Sequence, residues 1–429
     1  MLPEEATSAN QAVDHGRIHP DTSGQSLKSL GLRKLLATLP LVLISVTVFW
    51  GALTSVFIPI QVQAIDPAGQ AGSLALVVGV GAIASMVGGP IAGIVTDRAR
   101  TRIGGREPWM IAGALTTLAL AAVIGFVTSI PLLVVLVIAI QFTTNFILTP
   151  ATTYLPDRVP VSKRGLFSSV FGVVQMSGTV IGATLGAGFA SMLPTGYMLV
   201  GGLVAVLTIL FALLNAQSNL HEPRTPFTFR TLLGTFWVNP VAHPDFAWVF
   251  LGRFLLFTGF YPIQNFALYI MQDYIGLGAS AIDAIPVTNV AGLVGMVLGA
   301  GLSGPLVQRL GRTKPMVYAS SAVIVVSLIV PLVWPTLTGL IIFNVLTSLG
   351  AGAYITVDLV LVTLVLPSAD NTGKDLGIIN ITTTLPQTIG AVIGGVTISL
   401  FGNYGALFPI AMVVVVIGAT LIALVRGAK

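Results

Sequence analysis

Two oppositely charged side chains stand in otherwise apolar runs. Arg253 lies in Trp248-Val-Phe-Leu-Gly-Arg-Phe-Leu-Leu-Phe257, and Asp358 in Tyr354-Ile-Thr-Val-Asp-Leu-Val-Leu361. An ionised group held in hydrocarbon costs several kcal/mol unless it is paired, so the two are expected to pair. A carboxyl in that position can also exchange a proton, because burial raises its pKa while a neighbouring guanidinium lowers it. The pair is therefore either a proton-coupling device or a permanent bridge between two helices, and the sequence leaves both open.

Stripes of uncharged polar residues accompany the pair. Phe257, Tyr261, Gln264 and Asn265 follow Arg253 at steps of three or four, the spacing of one helical face. Asn344, Ser348 and Tyr354 lead to Asp358 in the same manner. Gln141, Asn145, Thr149 and Thr152 form another stripe, and Asn380, Thr383, Thr384 and Gln387 a fourth. Amides, hydroxyls and phenols in this arrangement suit a hydroxyl-rich solute, with Trp50 or Tyr261 available to stack on an apolar sugar face. Each Asn or Gln taken singly also serves as interhelical glue. The amide and tyrosine members of these stripes, with Trp50, are the candidate substrate contacts.

The elements that carry these residues are membrane helices. Hydrophobic residues make up 55% of the 429, charged residues 8%, and mean hydropathy is +0.94. Apolar runs of about 20 residues, enough to cross a bilayer, recur throughout. They predict twelve helices, near 35–63, 71–96, 109–128, 130–156, 165–193, 194–216, 246–277, 278–310, 316–334, 335–366, 375–402 and 403–426. Of the 20 Lys and Arg, all but Arg253 fall in every second gap between these runs. Positive residues are retained on the cytoplasmic side, so both termini are expected in the cytoplasm and the protein in the cell membrane. The remaining gaps carry Asp66, Asp273 and Asp283.

The net charge of +5 follows from that topology and argues for no nucleic acid. Cysteine is absent, and all four His (His15, His19, His221 and His243) lie in segments expected to be cytoplasmic. No metal cluster, nucleophile–base arrangement or phosphate-binding Gly-x-x-x-x-Gly-Lys loop is visible, which speaks against an enzyme and a primary pump. The expected partners are a small-molecule substrate, a proton and the bilayer, with no cofactor, and the chain is expected to act as a monomer.

The proline-containing stretch 217–245 divides the chain. The expected organisation is a tail at 1–34, a six-helix bundle at 35–216, a loop at 217–245 and a second bundle at 246–429. The halves repeat one another. Gly93-Ile-Val-Thr-Asp97-Arg98 with Gly104-Gly-Arg106-Glu107-Pro108 follows helix 2, and Gly304-Pro-Leu-Val-Gln308-Arg309 with Gly311-Arg312-Thr-Lys314-Pro315 follows helix 8. Parallel six-helix repeats are characteristic of alternating-access carriers.

The Gly-x-x-x-Asp-Arg element with basic residues after it resembles the signature loop of the major facilitator superfamily, and the repeat covers essentially the whole chain. More narrowly, Asp97-Arg-Ala-Arg-Thr-Arg-Ile-Gly-Gly-Arg-Glu-Pro-Trp109 resembles the extended loop of the glycoside–pentoside–hexuronide and sucrose-carrier branch. Thr96, Gly105 and Glu107 depart from that pattern. The resemblance implies an all-α membrane fold of two pseudo-symmetric six-helix bundles, with a cavity lined by helices 1, 4, 7 and 10. Glycine-rich helices 2, 5, 8 and 11 would form the interface between the halves.

The resemblance further implies that Asp97, with Arg98, Arg106 and Arg309, latches the cytoplasmic rim; the arginines are also readable as topology determinants alone. Its functional implication is secondary transport of a polar small molecule, a sugar or glycoside. Proton coupling is favoured over sodium, because helices 2 and 4 lack the carboxylates that melibiose-type relatives carry. The rival reading is an exporter, a proton antiporter for drug-like or natural-product compounds.

Overall fold

The computed structural model describes residues 30–159, 161–216, 244–310, 314–365 and 372–425. Among them lie twelve long helices and no strand. In lipid this is the expected outcome, since a helix satisfies its backbone polar groups internally. The first, α1, runs Leu30–Ala52, passes through a π-helical turn at Leu53–Phe57 and ends as Ile58–Ile65. Then come α2 (Gln70–Arg98), α3 (Glu107–Ile124), α4 (Ile130–Arg158), α5 (Val161–Gly188) and α6 (Leu193–Asn215).

The second set is α7 (Pro244–Asn265), α8 (Ala281–Leu310), α9 (Lys314–Val333), α10 (Leu337–Val365), α11 (Thr372–Phe401) and α12 (Leu407–Ile422). Among the described residues eleven spans are long and apolar enough to cross a membrane, and in α11 the apolar part is the shorter Leu385–Phe401. The helices match the predicted spans to within a few residues, except that the seventh breaks early. Pro262 supplies no amide to the turn before it, and Phe266 leaves helical geometry. The chain resumes as Ala267–Tyr269 and a second π-helical turn, Ile270–Tyr274.

Packing repeats between the sets. α1 packs on α5 and α6, α2 on α4, and α3 on α4 and α6; α7 packs on α11 and α12, α8 on α10, and α9 on α10 and α12. The sets meet through α2 with α11 and α5 with α8. The expected glycine-rich helices thus do join the sets, but the glycine stripes of α5 and α8 are used elsewhere. A Cβ on Gly182 of α5 would stand 2.1 Å from the Val48 carbonyl of α1, and one on Gly299 of α8 2.0 Å from the Leu349 carbonyl of α10. Both stripes seat a helix of their own set against bare backbone.

One end of the bundle carries the basic loops and is called here the basic end; Asp66, Asp273 and Asp283 mark the acidic end. At the basic end Asp97 Oδ1, in the last turn of α2, accepts at 2.9 Å from Nη2 of Arg106, the residue before α3. Below it Glu107 is buried, accepting from the Tyr154 hydroxyl at 2.6 Å and the Arg106 amide at 3.2 Å. Gly104 is required there. Its φ is +115°, and a Cβ would stand 1.9 Å from the Glu107 carboxylate. Glu107 is, with Asp358, one of two buried carboxylates among the described residues; it lies before residue 109, where the third apolar run was expected to begin.

Gly182→Ala is expected to destabilise the protein by about 1–3 kcal/mol through overpacking. Gly202→Ala, where nothing lies within 4 Å of the added methyl, should be neutral or stabilising. Thermal unfolding of both variants in detergent checks the contrast; equal melting temperatures would contradict the packing described.

Candidate functional site

Arg253 and Asp358 meet. Arg253 Nη1 donates to Asp358 Oδ2, joining α7 to α10. Asp358 is only 2% exposed, and the Arg253 guanidinium also sits over the Phe257 ring at 5.4 Å. Phe257 in turn meets Tyr354 edge-on at 6.5 Å and Tyr261 at 6.1 Å. The Tyr354 hydroxyl is buried beside the Asp358 carboxylate. The carboxylate is thus held by the Arg253 guanidinium in a surround of aromatic rings.

Nearer the acidic end, a recess opens between the two sets. α7 contributes Gln264 and Asn265, α10 Asn344, and α8 Asn289 with Thr288. The opposite wall is the first π-helical turn, with Thr54 and Ser55, followed by Pro59. No charged residue lines it. A second, smaller cavity, reaching Thr347 and Ser348, shares Gln264 and Asn344 with the first.

Hydrogen bonds between the sets close the acidic end over this recess. The Tyr269 hydroxyl donates to the Pro59 carbonyl at 2.8 Å. Gln70 Nε2 donates to Asp273 Oδ2 at 3.2 Å and to the Tyr404 hydroxyl at 3.1 Å. Tyr269 and Tyr404 also meet edge-on at 6.0 Å.

The structure brings Gln264, Asn265 and Asn344 together at the recess but not the remaining candidates. The α4 stripe turns to α2: Asn145 Nδ2 donates to Ser85 Oγ at 3.3 Å and to the Gln141 carbonyl at 2.8 Å. The α2 glycines let α4 approach there, with Asn145 Nδ2 only 3.2 Å from the Cβ position of Gly88. Trp50 lies on α1 beneath the recess, edge-on to Phe49. Tyr261 packs against Gly390 of α11, and the Gln387 carbonyl takes a 3.4 Å hydrogen bond from Asn265. Tyr354 belongs with the ion pair, and the Asn380 side chain lies outside the described residues.

At the basic rim Arg98 and Arg309 are exposed. Thr54, Ser55, Thr288 and Asn289 went unrecognised in the sequence. A signal existed for Asn289, an amide in an apolar helix three residues after Pro286.

The chain matches no curated protein by sequence. In structure it is similar to an aspartate-to-alanine variant of the nucleoside transporter NupG, with a TM-score of 0.73 and 14% identity, covering 91% of this chain and 100% of that one. It is also similar to a bacterial homologue of the human lysosomal transporter Spinster, solved inward-facing and unoccupied, with a TM-score of 0.68 and 15% identity over 91% and 96%. These neighbours share its fold and are transporters, not enzymes. The family model of the Major Facilitator Superfamily matches residues 39–339 and 290–429. On that match and the twelve-helix architecture, the chain belongs to the Major Facilitator Superfamily.

Proposed function

We propose that the protein moves a neutral, hydroxyl-bearing solute, a sugar or glycoside, by alternating access of its two six-helix halves. The observation that carries this reading is the recess: four amides and three hydroxyl-bearing residues, no charge, at the junction of the halves. An anionic or cationic solute would be expected to meet a countercharge. Nucleosides are N-glycosides of the same chemical character, and NupG is named as a nucleoside transporter, so they belong in the same test.

In this reading the halves are 35–216 and 246–429, flanked by a cytoplasmic tail at 1–34 and joined by a cytoplasmic loop at 217–245. The basic end faces the cytoplasm of a cell-membrane protein, as retention of positive charge on that side supports. The acidic end is then the outer gate, closed here by Tyr269, Gln70 and their partners. Asp97, Arg98, Arg106 and Arg309 rim the inner opening, and the protein works as a monomer. Asp358 is the proton site. Protonation removes the charge that holds Arg253, and its loss loosens α7 from α10.

Proteoliposomes given labelled disaccharides and nucleosides under an inward proton gradient test the function. Accumulation of one of them is expected. Flux of amphipathic drugs alone would favour the exporter reading instead. Asp358→Asn should abolish accumulation while retaining exchange of solute across the membrane; wild-type accumulation by this variant would refute proton coupling at that site. Asn344→Ala and Asn289→Ala should each weaken solute binding about tenfold, one hydrogen bond's worth. Unchanged affinity in both would remove the recess as the site.

A further inference from the structure

Arg253 and Phe257 stand one turn apart on α7, and Tyr354 and Asp358 one turn apart on α10. Four-residue spacing puts each couple on one helical face. Two contacts cross between the helices: Arg253 to Asp358, and Phe257 edge-on to Tyr354 at 6.5 Å. Another runs along α7, with the Arg253 guanidinium over the Phe257 ring at 5.4 Å. The two kinds respond differently when α7 loosens from α10. Crossing contacts lengthen, whereas Arg253 and Phe257 travel together because they share a helix.

The ring's role depends on the charge state of Asp358. An aromatic face attracts a cation through its quadrupole, most strongly where water is excluded. While Asp358 is ionised, guanidinium and carboxylate largely cancel one another's field at the ring. Once the carboxyl is neutral, that cancellation ends and the charge of Arg253, a side chain only 17% exposed, acts on the ring face. The contact is therefore stronger in the protonated state, and a contact of that kind shifts the equilibrium toward that state. Asp358 is also faced by Tyr354 of its own helix. α8 and α9, both packed on α10, carry Asp283, Arg309, Lys314 and Tyr318. Of these Asp283, Arg309 and Tyr318 are exposed, and Lys314 donates to the Val425 carbonyl.

We infer that Phe257 is a positioning residue of the proton site: its ring holds the Arg253 charge while Asp358 is protonated. This rests on the proposed proton binding at Asp358 and adds what becomes of the guanidinium when the carboxylate is lost. The role belongs to the ring's electrons and not to its bulk, since an aliphatic side chain fills similar space without a negative face.

Infrared difference spectra of the purified full-length protein, recorded against pH, test this without any solute. A carboxylic-acid band present in the wild type and missing from Asp358→Asn belongs to Asp358. Phe257 is then replaced with trifluorophenylalanine, which draws electron density from the ring face and nearly keeps its shape, so folding is retained. Half-maximal band height is expected to need about tenfold more acid in that protein, one pH unit. The same replacement at Phe260, which meets Tyr261 edge-on at 5.9 Å, should leave the titration unmoved. An unmoved band after the Phe257 replacement, or an equal shift from Phe260, overturns the inference and leaves the proton site standing. A wild type with no band that Asp358→Asn removes overturns both.

Discussion

A charge cannot be left alone in hydrocarbon, and α7 and α10 are joined across their interface by a buried ion pair. Removing one partner of such a pair costs on the order of 3–5 kcal/mol, because the other is left charged and desolvated. Arg253 and Asp358 therefore fix how α7 and α10 face one another. The aromatic residues Phe257, Tyr261 and Tyr354 gather around that contact. The same constraint makes the pair a natural switch: neutralising Asp358 changes the energy of the α7–α10 contact more than any change at an uncharged residue would.

The recess and the pair occupy different depths. Asn344 precedes Asp358 by fourteen residues on α10, roughly 21 Å along the helix. On the proposed reading no direct contact between solute and proton is needed, since α7 and α10 each carry members of both the recess and the pair. Coupling, as proposed, would be mechanical by this route: the helices whose contact depends on the pair also form the recess walls. The other end of the route is the gate, where Tyr269, just beyond the α7 break, bonds to Pro59 of α1.

Much of this was legible in the sequence, for definable reasons. Twelve spans follow from hydropathy and the ion pair from two charges at matching depth, and both are properties of linear position. The contacts of a side chain depend on helix rotation, which linear position does not carry. Gln141 and Asn145 are as polar as Gln264 and Asn265, and only the packing of α4 on the α2 glycines turns them away. Asn289 stood alone in its helix and made no stripe. The Glu107–Tyr154 contact joins residues from two helices, which spacing along the chain does not reveal.

Coupling is reciprocal, so the most direct test runs it backwards. Liposomes containing the protein and a pH-sensitive dye are given a gradient of the transported solute with no imposed proton gradient. If Asp358 carries a proton with each solute, the solute gradient alone will acidify the compartment the solute enters, and Asp358→Asn will lose the pH change while still exchanging solute. Solute entering through the wild type with no pH change would contradict the account at its centre and leave Arg253–Asp358 as a static bridge.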